Sequence, residues 1–558
     1  MRSATGPAPP PATNEGPGPL PWLIALGAVV AVVAAVVVYD LVQPRKAILR
    51  NFPVLGHFRY ILEAVGPELR QYIVTSNDEE RPFSRDERRW IYSSAKAMDN
   101  TFGFGSDNQM EREPGYLIIR HDAFPLEPLA GEPLRPDPEF RVPCAKVLGA
   151  AHGRREAFRP ESLVYVSAMS FGSLSGPAIE ALNLGAAGAH CLHNTGEGGV
   201  SPHHLRGGEL IMQVGTGYFG CRDEQGRFSL EHLLATIAPA PVRAIEIKMS
   251  QGAKPGLGGL LPGVKVTPRI AAIRGIPVGV DCKSPSSHSA FHDVDSLIEF
   301  VESLASATGL PVGIKSAVGE LGFWSELAAR MRATGAGPDF VTIDGGEGGT
   351  GAAPLVFADH VAMPFLRGFP EVYGRFAEEG VTDDIVFVGS GRLGLPHRAI
   401  AAMALGCDML AVAREAMLSV GCIQAQRCHT GTCPTGVATQ RPRLARGLVV
   451  DDKAPRTSQY VATLRQELLR IARACGQPHP AWVGASQIEV LQDPRTSLPL
   501  GEIARYRDAS WGKPHARHRA ELAGDWAPMA GHEVDGEVPA PPGTPVGRPT
   551  RLGDGRAG

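Results

Sequence analysis

Between residues 140 and 440 the chain alternates short β-rich runs with Ala- and Leu-rich helical stretches, and this alternation constrains the fold most strongly. Such alternation is typical of βα units around a parallel sheet. Most of the runs are continuously apolar and end in Gly, Ser, Asn or Lys, as buried parallel strands do. We predict eight strands, at Val164–Met169, His190–Asn194, Leu210–Val214, Ala244–Met249, Pro311–Lys315, Phe340–Asp344, Ile385–Gly389 and Met409–Ala413.

Eight βα units in succession predict an α/β fold, the TIM (β/α)8 barrel. A doubly wound sheet is the alternative, but its Gly-x-Gly-x-x-Gly turn after an early strand is missing from the sequence. The interval between the fourth and fifth predicted strands is long and holds an extra β-like run, Pro277–Cys282. We interpret this interval as an insertion at the active-site face of the barrel.

The barrel, with a cysteine-rich loop near its end, is placed at residues 141–450. Residues 41–140 are predicted to be an N-terminal linker with helices, and residues 451–530 a helical C-terminal extension. Residues 1–19 and 531–558 are rich in Pro and Gly and are predicted to be disordered tails, because such segments cannot bury a core.

A run of twenty residues without a charge, Leu20–Tyr39, predicts a transmembrane helix over 20–40. At about 1.5 Å per residue a helix of this length crosses the core of a bilayer, and the aromatic residues Trp22 and Tyr39 stand at its two ends. A cleaved signal peptide is the alternative, although the apolar run is long for one. The positive-inside rule then predicts a single-pass membrane protein with a cytoplasmic catalytic domain, because basic residues follow the helix at Arg45, Lys46 and Arg50.

The charge of the chain gives no indication of a nucleic-acid partner. The formal net charge is −3 at pH 7, whereas nucleic-acid-binding proteins carry a basic excess. We interpret a local arginine patch as the solvated face of a helix, with a specific binding role as the alternative; it consists of Arg81, Arg85, Arg88 and Arg89.

Glycine and polar residues are concentrated at the ends of four predicted strands, where a barrel carries its active site. These loops are Ala168–Ser173, Asn194–Gly199, Asp344–Gly351 and Gly389–Arg392. Exposed backbone N–H groups in such loops form anion sites, and barrels often hold a phosphate between the last two loops. The last of these loops and Arg414 therefore predict a phosphate-bearing cofactor, while simple turns are the alternative for each loop taken alone.

Two lysines, Lys248 and Lys315, close the fourth and fifth predicted strands. A lysine at the end of a buried strand is unfavourable unless it meets an anion or a polar ligand. We therefore predict that both face a ligand, with a lysine reaching to solvent at the barrel rim as the alternative.

The strongest local motif is a cluster of three cysteines, Cys422, Cys428 and Cys433, followed by Pro434. Their spacing is typical of iron–sulfur ligation, and three thiolates fit a 3Fe-4S cluster. Zinc is the alternative, because it prefers four ligands and His429 could complete the set.

Several strings in this region resemble the FMN-binding synthase domain of glutamate synthases. They are NTGEGG at 194–199, EIKMSQGAKPG at 246–256, LPGVKV at 261–266, DGGEGGTGAAP at 344–354 and GCIQAQRCHTGTCP at 421–434. The segment RNFPVLGHFRY at 50–60 resembles stand-alone, membrane-tethered members of that family. The resemblance implies an FMN at the barrel mouth, a 3Fe-4S cluster beside it, and reduction of 2-iminoglutarate, formed from 2-oxoglutarate and ammonia, to glutamate.

The resemblance also implies roles for individual residues. The flavin and its phosphate would be bound by Met169, Ser170, Asn194, Thr195, Gln213, Lys315, Gly345, Gly346, Gly349, Thr350, Gly389, Gly391, Arg392 and Arg414. The 2-oxoglutarate would face Lys248, Gln251, Lys254 and Arg274, with Glu197 as a candidate proton carrier, and the cluster would be held by Cys422, Cys428 and Cys433.

Two departures from the family pattern bear on the substrate. We expect no glutaminase domain, so that ammonia would come free or from a partner. Leu257 and Leu260 stand where the family has Glu and Gln, and an apolar contact to a carboxylate is unfavourable. The substrate could thus be a different imine or 2-oxo acid, and a membrane-bound electron-transfer module is a further alternative. The expected electron donor is a protein such as ferredoxin, since no dinucleotide fingerprint is found.

Overall fold

The computed structural model describes residues 6, 19–43, 47–69, 77–101, 103–106 and 108–529. The chain divides into two compact units, residues 1–85 and 86–558. The tails predicted at 1–19 and 531–558 lie, apart from residues 6 and 19, outside the described residues, as do the basic residues Arg45 and Lys46.

The α-helices of the described residues are α1 (Pro19–Val42), α2 (Ala47–Asn51), α3 (Leu55–Leu69), α4 (Arg85–Ala95), α5 (Gly176–Gly188), α6 (Leu230–Ile237), α7 (Pro268–Arg274), α8 (Val294–Thr308), α9 (Gly322–Thr334), α10 (Leu355–His360), α11 (Phe365–Glu378), α12 (Pro396–Ala404), α13 (Arg414–Ser419), α14 (Pro442–Ala445), α15 (Val450–Ala474), α16 (Leu500–Ile503) and α17 (Ala516–Asp525). The strands are β1 (Leu117–Ile119), β2 (Val164–Val166), β3 (His193–Asn194), β4 (Leu210–Val214), β5 (Val242–Lys248), β6 (Leu260–Leu261), β7 (Cys282–Lys283), β8 (Val312–Ala317), β9 (Phe340–Asp344), β10 (Val386–Ser390), β11 (Met409–Val412), β12 (Ile488–Asp493) and β13 (Thr496–Pro499).

The first unit contains α1, which includes the whole of the predicted transmembrane segment 20–40. By length and composition α1 is able to cross a membrane, and none of its most apolar stretch is buried against other described residues. Helices α2 and α3 follow it. The structure itself contains no membrane, so the transmembrane role of α1 remains a prediction.

The second unit is built around a closed barrel of eight parallel strands, β2, β3, β4, β5, β8, β9, β10 and β11, with β11 paired to β2. The predicted barrel is thus confirmed, and all eight predicted strands are present with ends shifted by at most three residues. The largest shifts, of three residues, are at the end of β2, which stops at Val166 rather than at Met169, and at the start of β3, which begins at His193 rather than at His190. At β3 the reason is that His190 adopts a positive φ of 51°, which interrupts an extended strand.

Apolar side chains of the strands fill the barrel, among them Tyr165, Ile211, Phe340 and Val388. Some of the surrounding helices begin at capping side chains, as at α5, where Ser175 accepts a hydrogen bond from the backbone N–H of Ala178. Because each strand is buried on both faces, the sequence reads as continuous apolar runs rather than as alternation.

The predicted insertion lies between β5 and β8, but its extra strand was predicted wrongly. Of Pro277–Cys282, only Cys282 is in a strand, β7, which pairs antiparallel with β6. Gly279 turns the chain with a φ of +73°, so the preceding residues cannot remain extended. The insertion also carries α7, which ends at Arg274.

Two flanking regions differ from their simple descriptions in the sequence. Residues 451–530 contain, besides helices, the strands β12 and β13, which form an antiparallel sheet with β1 from the linker.

The arginine patch is not uniformly solvated, because Arg88 on α4 is buried while Arg85 and Arg89 are exposed. The charge pattern of the sequence therefore did not predict that one face of α4 is buried.

Candidate active site

The loops at the carboxyl ends of the barrel strands bring most of the predicted site residues to one mouth. At its centre Lys248, which ends β5, lies with its Nζ 3.1 Å from Oε2 of Glu197 in the loop after β3. The same Nζ donates to Oε1 of Gln251 at 3.1 Å, and Nε2 of Gln251 donates to the carbonyl of Gly349 at 2.9 Å. The loops after β3, β5 and β9 are therefore connected through three predicted site residues.

Two further cations lie beside this group and are nearly removed from solvent. Lys254 is 6% exposed and Arg274 is 5% exposed. The ammonium of Lys254 donates no hydrogen bond to any described residue, and the buried Nε of Arg274 likewise lacks a partner. Arg274 makes two long hydrogen bonds, from Nη2 to the carbonyl of Phe171 at 3.4 Å and from Nη1 to Sγ of Cys282 at 3.9 Å. Buried cations with unused donors are unfavourable unless an anion meets them.

The carboxylate of Glu197 is held in its charged form by these cations. Burial alone would raise its pKa, but Lys248, Lys254 and Arg274 lower it to about 2. Burial has the opposite consequence for Lys254, whose pKa is lowered although Glu197 favours its charged form. Three cations around one carboxylate leave a net positive site, which suits a ligand that carries negative charge.

A buried carboxylate below the mouth, Glu246 on β5, was not predicted as a site residue. Its Oε1 accepts from Nδ2 of Asn194 at 2.8 Å and from Nε2 of Gln213 at 2.6 Å. Its Oε2 accepts from the hydroxyl of Thr342 at 2.8 Å. Glu246 thereby fixes which way the amides of Asn194 and Gln213 point. The sequence signal was a single carboxylate inside an apolar strand.

The loop after β9 lies against the loop after β5. Asp344 accepts from the backbone N–H of Gly252 at 2.9 Å, and its Oδ2 lies 3.9 Å from Nζ of Lys315. A methyl group at Gly252 would come within 1.9 Å of the carbonyl oxygen of Gly345. Gly252 is therefore required for the two loops to approach each other.

Three arginines gather where the loops after β9, β10 and β11 meet. Arg392, with a positive φ of 55°, donates from Nη2 to both oxygens of Glu87 on α4, at 3.1 and 3.2 Å. Nε of Arg398 lies 3.6 Å from the same carboxylate, and Arg414 donates to the carbonyl of Glu347. Burial first, and then the neighbouring Arg398 and Arg414, lower the pKa of Arg392. The partner Glu87 was not predicted from the sequence.

The remaining predicted cofactor residues line the same mouth or support it. Gly389 lies inside β10, and Thr195 donates its hydroxyl hydrogen bond to the carbonyl of Gly196. Gly391 adopts a φ of +127° and lies against Gly345. The others occupy the loops that the sequence assigned to them, buried at Met169 and Ser170 and partly exposed at Gly346, Gly349 and Thr350.

The three cysteines lie on one loop that follows α13. Burial, and then the proximity of Cys428 and Cys433, raise the pKa of Cys422 to about 12. At Cys433 burial is outweighed by the N–H of Ala438 and by other donors of the loop, so its pKa is lowered. In the part of the chain that the structure describes, no three His, Cys, Asp or Glu side chains are spaced to hold a single metal ion.

Comparison with known proteins assigns this architecture. Residues 144–478 match the family model described as the conserved region in glutamate synthase. This chain belongs to the glutamate synthase family. The match covers the barrel and the cysteine loop, so the resemblance inferred from the sequence motifs is confirmed at the level of the family.

Relatives within the glutamate synthase family differ in how much of their length this chain covers. The glutamate synthase large subunit-like protein YerD of Bacillus subtilis is 38% identical over 477 residues, or 80% of this chain and 90% of YerD. The archaeal-type glutamate synthase (NADPH) of Thermotoga maritima is 37% identical over 317 residues, or 56% of this chain and 59% of that protein. Among solved structures, a mandelate oxidase variant aligns with a TM-score of 0.39 and 15% identity over 78% of this chain and 99% of that chain, a likeness too low to bear on function.

Proposed function

We propose that this member of the glutamate synthase family is an FMN- and iron–sulfur-dependent oxidoreductase. It reduces a 2-imino acid to an amino acid, with 2-iminoglutarate, formed from 2-oxoglutarate and ammonia, as the first candidate. The observation that carries this proposal is the pair of buried cations with unused donors, Lys254 and Arg274, beside Lys248. A dicarboxylate would supply the anions that these groups lack.

The residues at the mouth fit a flavin mononucleotide. The amides of Asn194 and Gln213, fixed by Glu246, offer directed polar groups, and Lys315 offers a cation within β8, beside Asp344. A phosphate would meet the guanidinium groups of Arg392 and Arg414 next to the glycine-rich loops. A bound flavin would supply hydride to the imine carbon.

The cysteine loop fits an iron–sulfur cluster. Donors of the loop outweigh burial and lower the pKa of Cys433 below that of an ordinary cysteine, and thiolates are the ligands such clusters require. A cation, Lys265, is buried beside Cys428 and Cys433.

The chain's own groups then perform the binding and proton steps. Lys254 and Arg274 bind the carboxylates of the substrate, and Lys248 orients Gln251 and Glu197 beside them. These contacts hold the imine carbon in one orientation, which lowers the entropic part of the barrier. Glu197, ionised at neutral pH, keeps the imine nitrogen protonated by accepting a hydrogen bond from it.

A second candidate is a different imine or 2-oxo acid with an apolar substituent. It is favoured by Leu257 in the loop after β5 and by Leu260 at the start of β6, which are 37% and 42% exposed. The next residue, Leu261, is buried instead. An apolar rim of this kind suits a substrate with an apolar end.

We further propose that α1 anchors the chain in a membrane, with the barrel on the cytoplasmic side. The helix is long and apolar enough to cross a bilayer, and Arg50 and its basic neighbours follow it. The electron donor in this proposal is a one-electron protein such as ferredoxin. The archaeal-type relatives carry NADPH in their names, so both donors belong in the assay.

The test is an assay of the full chain purified in detergent. FMN and iron are measured first, and then amino acid formed from 2-oxoglutarate and ammonium with reduced ferredoxin or with NADPH. We expect FMN, about three irons per chain, and glutamate. The variant Lys254→Met should lose most activity at low substrate concentration, whereas Lys96→Met, at an exposed lysine, should not.

Two results would change the proposal. Flavin and iron without glutamate, but with flavin reoxidised by an apolar imine, would favour the second candidate. Zinc in place of iron and no flavin would overturn the proposal as a whole.

A further inference from the structure

Helix α3 carries an apolar stripe that the structure leaves exposed. The stripe consists of side chains three or four residues apart, each between 38% and 76% exposed: Leu55, Phe58, Ile61, Leu62, Val65 and Leu69. At 3.6 residues per turn they occupy roughly a third of the helix circumference. The other side of the helix is polar, and Nη2 of Arg59 lies 2.9 Å from Oε1 of Glu63 there.

A stripe of this size is unusual on a surface that faces water. Scattered exposed apolar residues are normal, but a contiguous patch rimmed by polar residues marks a surface that meets lipid or another molecule. The amphipathic pattern of α3 is that of a helix lying along an interface between an apolar and a polar medium.

The start of α3 is fixed to the carboxyl end of α1. Asp40, near the end of α1, is buried; its Oδ2 accepts from the backbone N–H of Val54 at 2.9 Å. Its Oδ1 lies 2.8 Å from Nε2 of His57, in the first turn of α3. Between them Gly56 packs closely on Leu49 of α2, since a methyl group there would come within 2.8 Å of Leu49 Cδ2. Within this unit, α3 therefore begins at the level at which α1 ends.

We propose that α3 lies in the surface of the bilayer that α1 crosses, with its apolar stripe in the boundary between headgroups and acyl chains. This inference rests on the membrane anchor proposed above. The occupant is lipid rather than a second copy because the Asp40 contacts tie α3 to the end of the helix that leaves the membrane. Arg59 and Glu63 then face the headgroups and water.

The experiment places the full chain in vesicles of phosphatidylcholine and phosphatidylglycerol. A trace of phosphatidylcholine with a photoactivatable diazirine on one acyl chain is included, and labelled residues are mapped by mass spectrometry. We expect label on α1 and on Phe58, Leu62 and Val65, and none on Arg59 or Glu63. Label on α1 with none on α3 would overturn the inference and leave the anchor intact. Absence of label from both helices would overturn the anchor itself.

A pair of matched variants sharpens the result. Phe58→Ser with Leu62→Ser removes the centre of the stripe, and Arg59→Ser with Glu63→Ser makes the same exchanges on the polar side. We expect label on α3 to fall by roughly fivefold or more in the first variant only, because its apolar contact with lipid is lost, with α1 labelled equally in both. Equal losses in both variants would overturn the inference. A fall in molecular mass in detergent for the stripe variant alone would show instead that the stripe joins two copies.

Discussion

Both ends of the barrel bury charged groups, but the two ends differ in how fully the hydrogen bonds of these groups are made. At the amino-terminal end of the strands, which we call the floor, Nζ of Lys146 donates at 2.9 Å to the carbonyls of Thr382 and Ile385 and to Asp408. Arg154 on the same floor binds Asp339 and Glu302 with both ends of its guanidinium. At the mouth, Lys254 and Arg274 are buried with donors unused.

We interpret this difference as a difference in role: the charged groups of the floor stabilise the fold, and the buried cations of the mouth bind a ligand. A buried ion pair whose hydrogen bonds are complete offsets its own desolvation, and removing one partner is strongly destabilising. A buried cation without a partner destabilises the protein until a ligand binds. Barrels in general place activity at the carboxyl ends of the strands and stability at the other end.

The largest expected effect lies on the floor. Lys146→Met leaves the carboxylate of Asp408 buried without its cation, and the free energy of unfolding should fall by about 3–5 kcal/mol. Urea denaturation measures this change, with FMN bound per folded chain unchanged. Lys146→Met combined with Asp408→Leu should recover much of the loss; a single variant as stable as the parent would show that the floor pair contributes little.

At the mouth, we expect removal of a buried cation to lower ligand affinity rather than the stability of the fold. Lys254→Met removes a buried cation whose desolvation outweighs its attraction to Glu197, so the midpoint of unfolding should stay unchanged or rise. Affinity for a dicarboxylate should fall roughly 10- to 100-fold, the value of one charged hydrogen bond. The measurement is KM for 2-oxoglutarate beside a thermal melt. A large loss of stability with an unaltered KM would place Lys254 with the floor groups instead.

A pH profile tests the charge of Lys254 itself. Burial lowers its pKa below the ordinary 10.5, so the ammonium loses its proton at a lower pH than a free lysine. Affinity for the dianion should therefore fall as pH rises through that lowered pKa. In Lys254→Arg the guanidinium stays charged, and the alkaline fall in affinity should move to higher pH. Profiles that coincide for the two proteins would exclude Lys254 as the titrating group.

Much of the barrel could be predicted from sequence, because each buried strand is a separate apolar run that carries its own signal. The run at Pro277–Cys282 misled because a glycine turn inside it has no apolar signature. The contacts between distant residues could not be predicted. Glu246 meets Asn194, Gln213 and Thr342 only when the barrel closes.

The structure brings predicted site residues such as Lys248, Glu197 and Gln251 together at the mouth, and their roles there remain predictions. Family resemblance named Lys254 and Arg274, but no sequence pattern states whether a buried cation has a partner. Glu87 was not predicted for a related reason, because it lies far along the chain from Arg392, with which it pairs. Whether a buried charge has a hydrogen-bond or ion-pair partner is decided by the tertiary structure.

The smallest expected effect concerns Lys265, a third buried cation, which lies between the two regimes. Its Nζ donates to the carbonyl of Ser173 at 3.1 Å, and a methyl group at Gly431 in the cysteine loop would lie 3.6 Å from its Cε. If the proposed iron–sulfur cluster is bound, a positive charge there would stabilise its reduced, more negative form. Lys265→Met should therefore lower the reduction potential of the cluster by on the order of tens of millivolts, measured by an EPR-monitored redox titration. Lys265→Arg should keep the potential near that of the parent. A fully loaded cluster with an unchanged potential in Lys265→Met would assign this lysine, like those on the floor, to stability alone.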